Sequence, residues 1–125
     1  MTHINGAYWE ERASQLIVST GATIIALNYT SRFGETDLIV LDNERLAFIE
    51  VRYRRRSHFG SAQASVSSAK QQKVLMTAQI FVASHEGYCN RYCRFDIIVF
   101  AGPRGSVSAK WLKGAIGLAE HPNYE

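Results

Sequence analysis

The chain is short of cysteine and proline, has no long apolar run and carries no large excess of either charge. Each shortage closes off a class of protein. Two cysteines in 125 residues are too few for a disulfide framework, and Cys89 and Cys93, four apart, do not form a CxxC redox pair. His85, Cys89 and Cys93 recur every four residues and would share one side of a helix, but Gly87 and Asn90 argue against a helix there. Small buried side chains near the end of a helix are a plainer reading than a metal site. Two prolines and nine glycines stand as isolated punctuation, and there is no internal repeat or low-complexity segment, so no linker or repeat array is expected. No apolar run reaches the roughly 18 residues of a membrane span, and the opening residues Met1-Thr2-His3-Ile4-Asn5 lack the cationic and apolar regions of a signal peptide. The expectation is a cytoplasmic protein with no membrane partner.

What is present suits one globular domain over residues 1–125, with a core from about 6 to 112 and a weakly determined tail from Gly114. The chain is 46% hydrophobic and 20% charged, enough to hold a core without staples. Between residues 6 and 20, Trp9, Ala13, Leu16, Ile17 and Thr20 recur at helical spacing, and Gly21 stops the pattern. Residues 23–29, 35–41 and 46–53 are short β-branched or aromatic runs separated by turn residues, which predicts three consecutive antiparallel strands. The polar stretch 54–65 predicts a loop. Ser67 or Ser68 suits a helix N-cap, and Val74, Leu75, Ala78, Phe81 and Val82 form an apolar stripe to about His85. Strands at 94–101 and 107–112 flank the turn Gly102-Pro103-Arg104-Gly105. Leu38 to Leu41 and Ala47 to Ile49 are apolar at consecutive positions, as in strands packed on both faces. The predicted architecture is α/β, a mixed central sheet with helices on both sides.

Glu35, Asp37, Glu50 and Arg52 fall within those strands, where a charge needs a partner. A two-residue turn at Asn43-Glu44 pairs Leu41 with Leu46, Asp37 with Glu50 and Glu35 with Arg52, and the period of two puts all four charged residues on one face. Opposed residues have Cβ atoms roughly 4.5 to 5.5 Å apart, so two carboxylates there repel unless something positive lies between them. A buried ion network would serve, with Arg52 on Glu35 and Arg94 or another arginine on the two acids. A divalent cation would serve as well. Glu10, on the stripe side of the first helix, adds a third carboxylate and an oxygen set suited to Mg²⁺ or Mn²⁺.

In order along the chain, Gly34-Glu35-Thr36-Asp37-Leu38-Ile39, Phe48-Ile49-Glu50-Val51-Arg52, Phe59-Gly60, Lys70-Gln71 and Arg94-Phe95-Asp96 resemble the bacterial YraN-like family. That family is similar to archaeal Holliday-junction resolvases and other restriction-endonuclease-like nucleases with the PD-(D/E)XK motif. The resemblance covers about residues 6 to 100 and implies a restriction-endonuclease-like three-layer core. It also implies a Mg²⁺- or Mn²⁺-dependent endonuclease acting on DNA, branched or structured DNA included. In this resemblance Asp37 matches the first acid of the motif, Glu50 the second and Arg52 the lysine. Glu10 matches the helix-borne acid, and Gln71 the polar residue that the second helix presents to the site. Analogy with resolvases that cut two strands symmetrically implies a homodimer. Two positions depart from the pattern. Trp9 stands where the family has a glycine, a packing change. Arg52 stays charged and cannot serve as a base, although its fork can bind phosphate.

Four of the ten arginines lie between Arg52 and Arg56, directly after the strand that carries Glu50. The formal charge is only +3, but the acids are drawn toward the site and the cations toward its exit. Arg54, Arg55, Arg56 and His58, extended by Lys70 and Lys73, are the expected contacts to nucleic-acid phosphates. Tyr53 and Phe59 read as packing residues before stacking platforms. Three functions stay open on sequence: an endonuclease, a non-catalytic DNA-binding module with a degenerate site, and an interaction adaptor with a vestigial one. Arg52 is the feature that favours the second over the first.

Overall fold

Two of the predicted turns set the topology. Asn43 and Glu44 both have positive φ, 49° and 74°, the backbone of a two-residue hairpin whose twist matches the strands it joins. They connect β2 (Gly34–Asp42) to β3 (Arg45–Arg54), and the register follows from the turn, Asp42 opposite Arg45, Leu41 opposite Leu46 and Leu38 opposite Ile49. β1 (Thr23–Ser31) pairs antiparallel with β2 across a second hairpin. The computed structural model describes residues 2–55, 67–88 and 91–115. The sheet order is β1-β2-β3-β4-β5, with β4 (Cys93–Ala101) parallel to β3 and β5 (Ser108–Leu112) antiparallel to β4.

Among the described residues each sheet face is covered by one helix. α1 (Thr2–Ser19) starts four residues earlier than its apolar stripe suggested. It ends where Gly21, at φ +92°, takes a left-handed conformation that costs glycine little. Trp9, Ala13 and Ile17 pack on Leu38, Val40, Ala47, Ile49, Ile98 and Phe100. α2 (Ser68–Ser84) is capped by Ser67, whose Oγ accepts from the Lys70 N–H at 3.2 Å. Its Val74, Ala78 and Phe81 pack on the other face, against Ile39, Leu46, Phe48, Phe95, Ile97 and Val99. Helix, sheet and helix make the three layers of an α/β fold. All nine residues of β4 are buried, as a central strand beside a parallel neighbour requires. Among the described residues no helix is long and apolar enough to cross a membrane.

As Gly87 and Asn90 suggested, His85 and Cys93 do not share a helix, because α2 stops at Ser84. Two other readings change. Cys93 instead opens β4, buried, with its thiol pushed up to about 11 by that burial. Cys89 lies outside the described residues, as do Arg56, His58 and Phe59. Arg94 does not serve Asp37 or Glu50. Its Nε and NH2 bond Asp96 at 3.0 to 3.1 Å and its NH2 bonds Asp42 at 2.9 Å. Asp96 also accepts from Trp111 Nε1 and the Gly114 N–H, both at 2.8 Å. Fully buried Asp96 is therefore saturated, and it ties the segment after β5 to the centre of the sheet.

Candidate metal and nucleic-acid site

The β2–β3 ladder ends at Leu38–Ile49. Beyond it β2 continues to pair with β1, as Glu35 with Thr30, and β3 with β4, as Glu50 with Ile97. β2 and β3 part there, and the Asp37 side chain fills the gap, its Oδ2 accepting from the Val51 N–H at 2.8 Å. A carboxylate thus takes over a bond that a strand carbonyl makes elsewhere, which fixes Asp37 against the main chain beside Glu50.

By alternation from Ile39 and Phe48, Asp37 and Glu50 lie on the α2 face. Glu50 is 3% exposed. Its Oε1 lies 3.4 Å from Arg52 NH1 and 3.4 Å from Lys70 Nζ. Its Oε2 is buried and has no hydrogen-bond partner among the described residues. Burial, and after it the negative charge of Asp37, pushes the Glu50 carboxyl up to about 7. Asp37 is also raised, chiefly by burial and against the pull of the Val51 N–H and of Arg52. Glu10 comes from α1, on the opposite face, and reaches the gap. Burial raises its carboxyl, as do the charges of Asp37 and Glu35, against a pull from the Asn28 side chain. The three acids therefore form a chain from Glu10 to Asp37 to Glu50, each raised above its ordinary range.

The other residues fall differently. Glu35 is exposed near the start of β2, and Arg52 turns to Glu50 instead of Glu35. Gln71 is half-buried on α2, one residue after Lys70. Lys73 is exposed, and its Cβ packs near Gly34. Arg54 ends β3 half-buried, donating from NH1 to the Tyr53 carbonyl at 3.1 Å, and Arg55 is exposed. Tyr53 packs as expected, its ring stacked on Trp9 at 4.5 Å and 6°, so the Trp9 departure is explained by an aromatic pair. Sequence reasoning missed the contact between Lys70 and Glu50. The helix stripe placed Lys70 near the basic exit but gave no sign of which strand residue it would meet.

Whether these donors suit a divalent cation can be judged from their chemistry. Among the described residues no three carboxylate, imidazole or thiolate groups form a ready-made metal cage. Mg²⁺ does not need one, because it keeps several waters and binds through one or two carboxylates together with substrate phosphates. Asp37 and Glu50 are such a pair, and the bare Glu50 Oε2 is a buried anionic oxygen lacking the partner that buried charge requires. The donor set fits.

Fold and site together define an α/β protein whose paired acids lie where two neighbouring strands of a mixed sheet part. The chain belongs to the uncharacterised protein family UPF0102, which matches residues 9–100. It is similar to a UPF0102 protein of Enterobacter sp. (strain 638), 43% identical over 113 residues, covering 90% of this chain and 83% of that one. It is also similar to the UPF0102 protein YraN of Escherichia coli O1:K1 / APEC, 40% identical over 115 residues, 91% and 85% of the two chains. A UPF0102 protein of Stutzerimonas stutzeri (strain A1501) is 35% identical over 111 residues, 89% and 92%.

Proposed function

We propose that this protein is a Mg²⁺- or Mn²⁺-dependent endonuclease of the restriction-endonuclease-like, resolvase-like type, acting on DNA in the cytoplasm. The observation that carries the reading is half-buried Asp37 beside buried Glu50 with its unpartnered oxygen, set at an opening of the sheet and followed by Arg52, Arg54 and Arg55. Asp37 and Glu50 would hold the cation, with Glu10 adding negative charge from the far face. When bound, it lowers the pKa of a water molecule and stabilises negative charge developing on the phosphoryl group. The chain does the rest. The Val51 N–H fixes the Asp37 carboxylate, and Arg52 and Lys70 hold positive charge where a phosphate oxygen would lie. Gln71 can orient a water or phosphate by hydrogen bonding. The arginines after Glu50 bind the DNA backbone, and two copies of the chain would present two sites to two strands.

A second reading is favoured by one contact. Arg52 and Lys70 both lie on Glu50 Oε1, so the pair is part-neutralised without a metal, as in a DNA-binding module that has kept the scaffold without the chemistry. The test is nicking of supercoiled plasmid and of a four-way junction with Mn²⁺, by the wild type and by Asp37→Asn, which keeps the side-chain shape and removes the charge. The endonuclease reading expects metal-dependent nicking that Asp37→Asn abolishes. DNA binding with no cleavage of either substrate would give the chain to the second reading.

A further inference from the structure

An open cleft of about 460 Å³ lies between the end of β3 and the β4–β5 turn, lined by Tyr53, Arg55, Pro103 and Arg104. Arg55 and Arg104 are 49 positions apart in sequence and line one cleft because β3 and β4 run parallel, with Arg54 opposite Ala101. Their carboxyl ends therefore open at the same edge of the sheet, where α/β folds commonly place ligands. None of the four lining residues is acidic.

The walls are held in place. Tyr53 is stacked on Trp9, and its hydroxyl donates to the Gly102 carbonyl at 2.9 Å. The Gly102 N–H donates to the Arg54 carbonyl at 2.9 Å, and the Ser106 N–H to the Pro103 carbonyl at 2.9 Å. Gly102 has φ +116°, and a Cβ there would lie 2.6 Å from the Ser106 carbonyl oxygen, so the turn closes this tightly only with glycine. Arg104 projects from a turn fastened to the end of β3.

We propose that this cleft is a second anion subsite that grips one phosphodiester backbone, with Arg55 and Arg104 on its two sides. The proposal rests on the nucleic-acid reading above and adds Arg104 and a location to it. Two guanidinium forks match phosphate oxygens, and the Tyr53 and Pro103 surfaces between them suit the apolar edge of a sugar. Tyr53 and Arg55 alternate with Arg52 and Arg54, so the cleft is on the α1 side of β3 and Glu50 on the α2 side. A strand held in the cleft crosses the end of β3 to reach the carboxylates. Arg55 lies five steps along the chain from Glu50, just past the end of β3, roughly 16 Å at 3.3 Å per step, or about five base-pair rises of B-form DNA. The gripped phosphate is thus away from the reacting one.

The experiment is a salt titration of the full chain on fluorescein-labelled duplex DNA without divalent metal. Arg104→Ala is expected to lower the slope of log affinity against log salt by about 0.9 and to weaken binding about fivefold at 0.15 M salt, equally for unrelated sequences. Arg104→Lys should recover most of the loss, and melting temperatures should match the wild type. Unchanged affinity and slope in Arg104→Ala, with the wild type still binding DNA, would overturn the cleft and leave the nucleic-acid reading standing. A wild type that does not bind DNA at low salt would overturn both. Tighter binding to polyglutamate than to DNA would also overturn the proposal, because it would make the cleft a peptide site.

Discussion

Glu50→Gln should make this protein more stable at pH 8 and no more stable at pH 4. The change keeps the side-chain shape and removes a charge that is 3% exposed and shares its surroundings with Asp37. In the native chain the Glu50 carboxyl is pushed up to about 7 from 4.5, by burial first and by Asp37 second. Below 4.5 the group is protonated in both folded and unfolded chains, so the native state keeps its full stability. As pH rises through 7 the folded chain must ionise a buried acid that the unfolded chain ionised earlier, and that stability is lost. At about 1.4 kcal/mol per unit the loss is about 3 kcal/mol by pH 8. Glutamine does not ionise, so the variant should melt roughly 10 °C higher than the wild type at pH 8. The assay is thermal unfolding followed by circular dichroism from pH 4 to 8, with and without Mn²⁺. At one hundred times its dissociation constant the metal should return about 2.7 kcal/mol to the wild type and little to the variant. A variant less stable than the wild type at pH 8 would refute the reasoning. It would mean that Arg52 and Lys70 over-compensate the Glu50 charge and that the cluster is a structural ion network.

Lys70→Met removes a cation 3.4 Å from Glu50 Oε1. Calorimetry at pH 8 should show Mn²⁺ binding up to about fivefold tighter, the limit for a pair with one partner in contact with water; unchanged or weaker binding would contradict competition for that oxygen. Asp96→Ala strands buried Arg94 without its principal partner and frees Trp111 and Gly114, and should cost about 3 to 5 kcal/mol in chemical unfolding. A cost under about 1 kcal/mol would show that the network does not hold the segment after β5. Replacing Arg54, Arg55 and Arg56 together by Ala should flatten the salt dependence of DNA binding by about 0.9 for each phosphate no longer neutralised, and an unchanged slope would mean that these side chains are only solvated.

The parts of this molecule legible in its sequence are those set by local rules. Asn43-Glu44 fixes the β2–β3 register because a two-residue turn leaves one pairing, and the consecutive apolar residues of β2 and β3 announce helices on both faces. Alternation also puts Asp37, Glu50 and Arg52 on one side of the sheet. Depth is another matter, because it depends on what lies above a residue. Glu35 has the face predicted for it, yet it is exposed one residue from the start of β2. The choice of ion partners was equally hidden. Arg94 meets Asp96 and Asp42, and Lys70 meets Glu50, through packing of segments far apart in sequence. The parting of β2 and β3 has no local signature, since the residues that stop pairing at Leu38 and Ile49 are as strand-like as those that continue.

The most direct test of the central claim, that Asp37 and Glu50 are a divalent-cation site, is anomalous scattering from crystals soaked in Mn²⁺. A peak is expected between the two carboxylates, about 2.2 Å from an oxygen of each, with the otherwise bare Glu50 Oε2 drawn into contact and the peak absent from Asp37→Asn crystals. Asp37 and Glu50 without anomalous density at saturating Mn²⁺, with Lys70 and Arg52 still on Glu50, would contradict it.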